Sequence, residues 1–140
     1  MFIIYCINNI CIRVFCAGSR GCLNIIRRRN EDRMFVFNND VTPTNCEPGV
    51  TRKILTHSDE LMMCEITFQK GARGNTHSHP HLQITYIAKG SFEFTIDGET
   101  KIVNQGDSVY MPSNSVHGVV ALEDGILVDV FNPAREDFLK

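Results

Sequence analysis

The pattern of apolar and polar positions after residue 33 has almost no helical period and reads as strands and turns. Residues 91–96 alternate cleanly, with Phe92, Phe94 and Ile96 on one face and Ser91, Glu93 and Thr95 on the other. Asp97-Gly98 is a strong short hairpin signal, and residues 100–103 supply the returning strand. Further strands are predicted at 34–37, 50–55, 61–68, 83–88, 108–111, 116–121 and 126–131, with 43–48 as a loop. Residues 133–139 predict one terminal helical turn or two. About eight or nine short strands at roughly 8–12-residue spacing imply an all-β antiparallel sandwich or barrel, a jelly roll. A parallel α/β sheet is excluded, because no crossover helices lie between the strands.

The 140 residues suffice for one domain, and 43% hydrophobic with 21% charged residues marks a globular chain. Its charge is lopsided. Residues 1–33 carry six Arg and two acids, a net of +4, whereas 34–140 carry eight Lys/Arg and fourteen acids, a net of −6. Such an acidic domain has no electrostatic footprint for nucleic acid or an anionic membrane. No stretch reaches the about 18 apolar residues of a membrane-spanning helix. Residues 1–33 start uncharged, Asn8 and Asn9 break their apolar run, and Arg13 and Arg20 fall where a secretory signal needs its core and cleavage site. Cys6, Cys11, Cys16 and Cys22 form no CxxC pair and match no zinc spacing. This segment is expected to be a poorly structured extension, an upstream start with Met34 as the natural beginning. The folded domain is expected at 34–140. Only Cys46 and Cys64 remain there, so nothing demands an oxidising compartment and a cytoplasmic protein is expected.

All five histidines lie between 57 and 117. His77 and His79 are two apart, so on a strand both imidazoles leave the same face, as a metal requires. Gln83 keeps that parity if Pro80 does not shift the register, and His117 could supply a fourth corner from a distant strand. An alternative has Gln83 merely hydrogen-bonded inside the barrel, with three ligands on the metal. His57 reads as a solvated loop residue. His81, just past Pro80, is not expected to be a ligand and could shape the pocket or bridge to a partner chain.

These residues resemble the two motifs of the cupin superfamily. Gly71, His77, His79 and Gly90 match the first, with Gln83 where glutamate is usual. Gly106, Pro112 and His117 match the second, with Asn114 replacing its glycine and Ala121 its asparagine. The resemblance implies a single cupin jelly roll holding one divalent transition metal ion, Zn, Ni, Fe, Mn or Co. With Gln83 every ligand is neutral, which leaves a formal +2 site that attracts anions and acts as a stronger Lewis acid.

Near the C-terminus, Asp129 interrupts an apolar strand in which Leu127, Asp129 and Phe131 share one face. An inward carboxylate there needs a partner, a metal or a substrate. Arg135 has a fork that suits a substrate carboxylate, or it could pair with Asp129 to fasten the tail. Together with the HSHPHxQ and PxNxVHG segments, the ending DVFxPxREDFL resembles the KdgF family of small pectin-degradation cupins. That resemblance implies a cytoplasmic, homodimeric isomerase or lyase-type enzyme. It would convert 4,5-unsaturated uronates, released from pectin or alginate, into linear keto-uronates. It further implies His77, His79, Gln83 and His117 as metal ligands, with Asp129, Phe131 and Arg135 at the substrate end. Asp129 would carry the proton, Arg135 would hold the anionic group and Phe131 would form an apolar wall. Two other classes fit the residues: a non-catalytic sugar-acid-binding cupin and a metal-dependent dioxygenase.

Overall fold

The computed structural model describes residues 34–140 throughout. Before them it describes only the backbone of two strands, β1 (Ile3–Ile7) and β2 (Ile10–Val14), which pair antiparallel as a sheet of their own. The expected character of residues 1–33 otherwise lies outside the described residues.

The domain contains strands β3 (Thr44–Glu47), β4 (Val50–His57), β5 (Met62–Phe68), β6 (Arg73–His77) and β7 (Leu82–Lys89). It continues with β8 (Ser91–Ile96), β9 (Glu99–Asn104), β10 (Ser108–Met111), β11 (His117–Ala121) and β12 (Gly125–Asn132). They form two antiparallel sheets, one of six strands in the order β10-β7-β12-β5-β4-β3 and one of four in the order β6-β11-β8-β9. This is the all-β jelly roll expected. Single 3-10 turns cover Asn38–Asp40 and Glu136–Leu139, and no described helix is long and apolar enough to cross a membrane.

Period-2 burial dictates the core. On β12, Leu127, Asp129 and Phe131 are buried between half-buried Ile126, Val128 and Val130. On β7, Gln83, Thr85 and Ile87 face inward. From β8, Phe92 and Phe94 enter the same interior, where Phe92 meets Phe68 edge-on with ring centroids 5.5 Å apart. Burying each such ring stabilises the fold by about 1.5–3 kcal/mol. Gly125 opens β12 where a Cβ would stand 2.5 Å from the Phe92 ring and 2.7 Å from the Lys89 carbonyl, so only glycine fits. The β8–β9 hairpin turns at Asp97 and Gly98, both with positive φ, the mark of a type I′ turn.

Two local expectations are corrected, and one strand is added that the apolar pattern does not predict. Residues 34–37 form no strand: Met34, Phe35 and Phe37 are exposed and no sheet neighbour pairs with them. Residues 43–48 are not all loop, because β3 pairs with β4 as an edge strand whose flanking prolines lie just outside it. The polar run Arg-Gly-Asn-Thr-His is strand β6, held by pairing to β11 rather than by burial of its side chains.

Candidate metal centre and substrate pocket

His77 closes β6 and His117 opens β11, and the two are register partners in the four-stranded sheet. His79 lies beyond the end of β6, and Gln83 belongs to β7 of the opposite sheet. The single-strand parity expected for His77, His79 and Gln83 is therefore corrected. They converge because the chain crosses from one sheet to the other around Pro80. One ligand atom from each of His77, His79 and His117 lies within 4.8 Å of the others. His79, Gln83 and His117 are buried, whereas His77 is exposed at the mouth.

Backbone carbonyls fix the tautomers. Nδ1 of His77 meets the Asn75 carbonyl at 2.7 Å, Nδ1 of His117 meets that of Ser115 at 2.9 Å, and Nδ1 of His79 meets that of His81 at 3.1 Å. Each Nδ1–H donates to its carbonyl, which leaves every Nε2 with a lone pair. Burial holds His79 and His117 below the ordinary histidine value, so both are neutral at pH 7. His81 thus serves through its carbonyl.

The donor set fits a divalent metal. The Nε2 of His117 is buried without a hydrogen-bond partner. The Nε2 of His79 faces Oε1 of Gln83 at 3.0 Å, so two acceptors confront each other. With Asp129 ionised, flipping the amide does not relieve this. Gln83 Nε2 donates to Thr85 Oγ1 at 3.1 Å, and that hydroxyl donates to Asp129 Oδ1 at 2.5 Å, which fixes the direction of the chain. A cation between the two acceptors resolves the conflict. Two donors at about 2.1 Å from one ion and roughly 90° apart stand about 3 Å from each other. Imidazole nitrogens with an amide oxygen suit the late first-row metals.

Asp129 and Thr85 are register partners across β12 and β7. Burial pushes the Asp129 carboxyl up from 3.8 to about 6, against hydrogen bonds from Thr85 and Gln83 and the charge of Arg135, which pull it down. Thr85 was not singled out from sequence. Its signal is that it stands two residues after Gln83 on the same inward face. Phe131 is buried beside the cluster, its ring centroid 5.8 Å from that of His79.

The reading of Asp129 and Arg135 as a tail-fastening pair is corrected. Among the described residues Arg135 pairs instead with Asp137, its Nε donating at 2.9 Å and its Nη2 at 2.7 Å to the two carboxylate oxygens. That fork holds Asp137 down at about 2. The Arg135 guanidinium also lies over Phe138 at 4.2 Å and near Phe131 at 5.5 Å. His57 is the last residue of β4, half-buried and paired with Met62, rather than in a solvated loop.

A jelly roll with this histidine cluster matches known proteins closely. The cupin domain family model matches residues 64–131. The pectin degradation protein KdgF of Dickeya dadantii is 49% identical over 106 residues, spanning 74% of this chain and 96% of that protein. The chain belongs to the cupin family. Among solved structures, this cupin is similar to KdgF from Halomonas sp., with a TM-score of 0.72 and 39% identity over 74% of this chain and 98% of that one. It is also similar to an RmlC-like cupin from Shewanella frigidimarina, with a TM-score of 0.75 and 38% identity over 79% of this chain and 99% of that one.

Proposed function

We propose that this cupin is an enzyme of pectin or alginate breakdown that converts 4,5-unsaturated uronates into linear keto-uronates. One observation carries the reading. An all-neutral donor cluster is joined through Gln83 and Thr85 to a buried carboxyl raised toward neutrality. The likeness to the pectin degradation protein KdgF of Dickeya dadantii supports a role in pectin breakdown.

The substrate ring carries a C4=C5 double bond beside its ring oxygen and a carboxylate on C5. Opening the C1 hemiacetal frees an enol, and a proton gained at C4 turns that enol into a ketone. The product is an isomer, because the proton lost from the anomeric hydroxyl balances the one gained at C4. Asp129 carries this proton, with an affinity that burial has tuned toward the working range. Thr85 orients the carboxylate by donating to Oδ1. His77, His79, Gln83 and His117 would hold the divalent ion. Once bound, the ion supplies Lewis-acid stabilisation to negative charge on substrate oxygens. Phe131 offers an apolar wall to the flat unsaturated face, with Arg135 beside it.

The purified, metal-loaded protein is expected to accelerate the loss of the unsaturated uronate's ultraviolet absorbance. A rate equal to the spontaneous one would defeat the reading, and saturable binding without turnover would point to a sugar-acid sensor instead. A cytoplasmic homodimer completes the proposal. The dimer's support is the outer face of the six-stranded sheet, where Leu82, Ile84 and Tyr86 of β7 lie exposed beside Tyr110 of β10.

A further inference from the structure

Arg52 stands in the middle of β4, directly opposite buried Ile66 on β5, and so on the inner face of the six-stranded sheet. Its guanidinium lies 3.4 Å from the centre of the Phe138 ring. Its Nε is buried without a hydrogen-bond partner, and among the described residues no carboxylate or carbonyl pairs with its other nitrogens. A half-buried guanidinium in that condition is uncommon, because five donors normally find acceptors. The cation belongs to the same interior as the site. Phe138 packs against Phe131 with centroids 5.8 Å apart, and Phe131 in turn meets His79. Cys64, between β4 and β12, is pushed up to about 12 by burial and by the charge of Asp129, while Arg52 and Arg135 pull it back. All three charged groups therefore act on one point of the interior.

Arg135 is differently placed. Its Nε–Nη2 edge is filled by both oxygens of Asp137, and that carboxylate cancels its charge. Among the described residues, the cation of this interior with no counterion is Arg52.

We propose that Arg52, stacked on Phe138, anchors the carboxylate of the sugar acid, while Asp137 holds Arg135 as part of the wall. The inference rests on the sugar-acid reading of the site. Phe138 fixes the guanidinium plane in advance, so little side-chain entropy is lost on binding. The 3-10 turn Glu136–Leu139 thus carries both the platform for Arg52 and the counterion for Arg135.

The test is titration calorimetry with galacturonate and with its uncharged methyl ester, using metal-loaded wild type, Arg52→Gln, Arg52→Lys and Arg135→Gln, each checked by thermal melting. Wild type is expected to prefer the acid by about ten- to a hundredfold, the value of a charge-assisted hydrogen-bonded pair. Arg52→Gln is expected to abolish that preference, Arg52→Lys to restore part of it, and Arg135→Gln to keep most of it. With unsaturated uronate, Arg52→Gln should raise KM far more than it lowers kcat. The proposal is overturned if wild type shows no preference for the acid. It is equally overturned if Arg52→Gln keeps the preference, or if Arg135→Gln removes it while Arg52→Gln does not. A lowered melting temperature with the preference intact would assign Arg52 a structural role only. If no variant or wild type turns over the unsaturated sugar, yet the preference depends on Arg52, the reaction fails while the anchor stands.

Discussion

Replacing Asp129 by Asn should make the protein more stable and nearly inactive. Asp129 is buried, and burial raises its carboxyl from 3.8 to about 6. Each tenfold change in proton affinity is worth about 1.4 kcal/mol, so above pH 6 the ionised group costs the fold on the order of 3 kcal/mol. Between pH 3.8 and about 6 the folded chain holds a proton that the unfolded chain has lost. Stability therefore falls as pH rises through that window and stays low above it. Asparagine has nearly the same shape, still accepts from the Thr85 hydroxyl and carries no charge to desolvate. In metal-free protein, Asp129→Asn should gain about 3 kcal/mol in urea unfolding near pH 7.5, and the gain should shrink toward zero near pH 4. A bound cation would lower the cost of the carboxylate, so the gain should be smaller in the metal-loaded form. Loss of the proton carrier should lower kcat by about 10²–10⁴-fold in the absorbance assay. A variant that is less stable at both pH values, or that keeps kcat within a few-fold, would refute the reasoning.

Gln83→Glu places a negative ligand in the cluster and removes the amide donor to Thr85, so KM for the anionic sugar should rise about tenfold and kcat should fall. An unchanged KM in steady-state kinetics would show that the charge of the site does not recruit substrate. His79 and His117 are held below 6.5 by burial, so the stability they contribute is present above pH 6.5 and is lost as pH falls below it. Divalent metal should accordingly raise the melting temperature near pH 7.5 and do so much less near pH 5, and a shift independent of pH would argue against imidazole ligation. Ile84→Lys puts a charge in the exposed apolar stripe of β7, and light scattering should then show monomer where the wild type is a dimer, with the absorbance assay unchanged.

The strand pattern was legible because burial in an antiparallel sandwich alternates with a period of two residues. Phe92 and Phe94 on β8, and Leu127 with Phe131 on β12, announced their faces before any pairing was known. Where side chains do not carry the fold, the pattern was silent. The polar strand β6 exists only through its ladder to β11, and the apolar run at 34–37 found no sheet to join.

The ligand residues were legible as a motif, but not the reason they meet. Parity along one strand suggested convergence, whereas the chain in fact crosses between sheets after His77, and Gln83 reaches His79 from the opposite layer. The inward acid at Asp129 was evident from its apolar neighbours alone. Its partner was not. Thr85, the Asp137 fork on Arg135 and the unpaired Arg52 over Phe138 all depend on residues brought together across sheets or by the folded tail. Local sequence determines which side chains face inward, since that follows from backbone geometry over a few residues. Which charges neutralise one another is set by distances between strands remote in the chain, and only the closed barrel decides those.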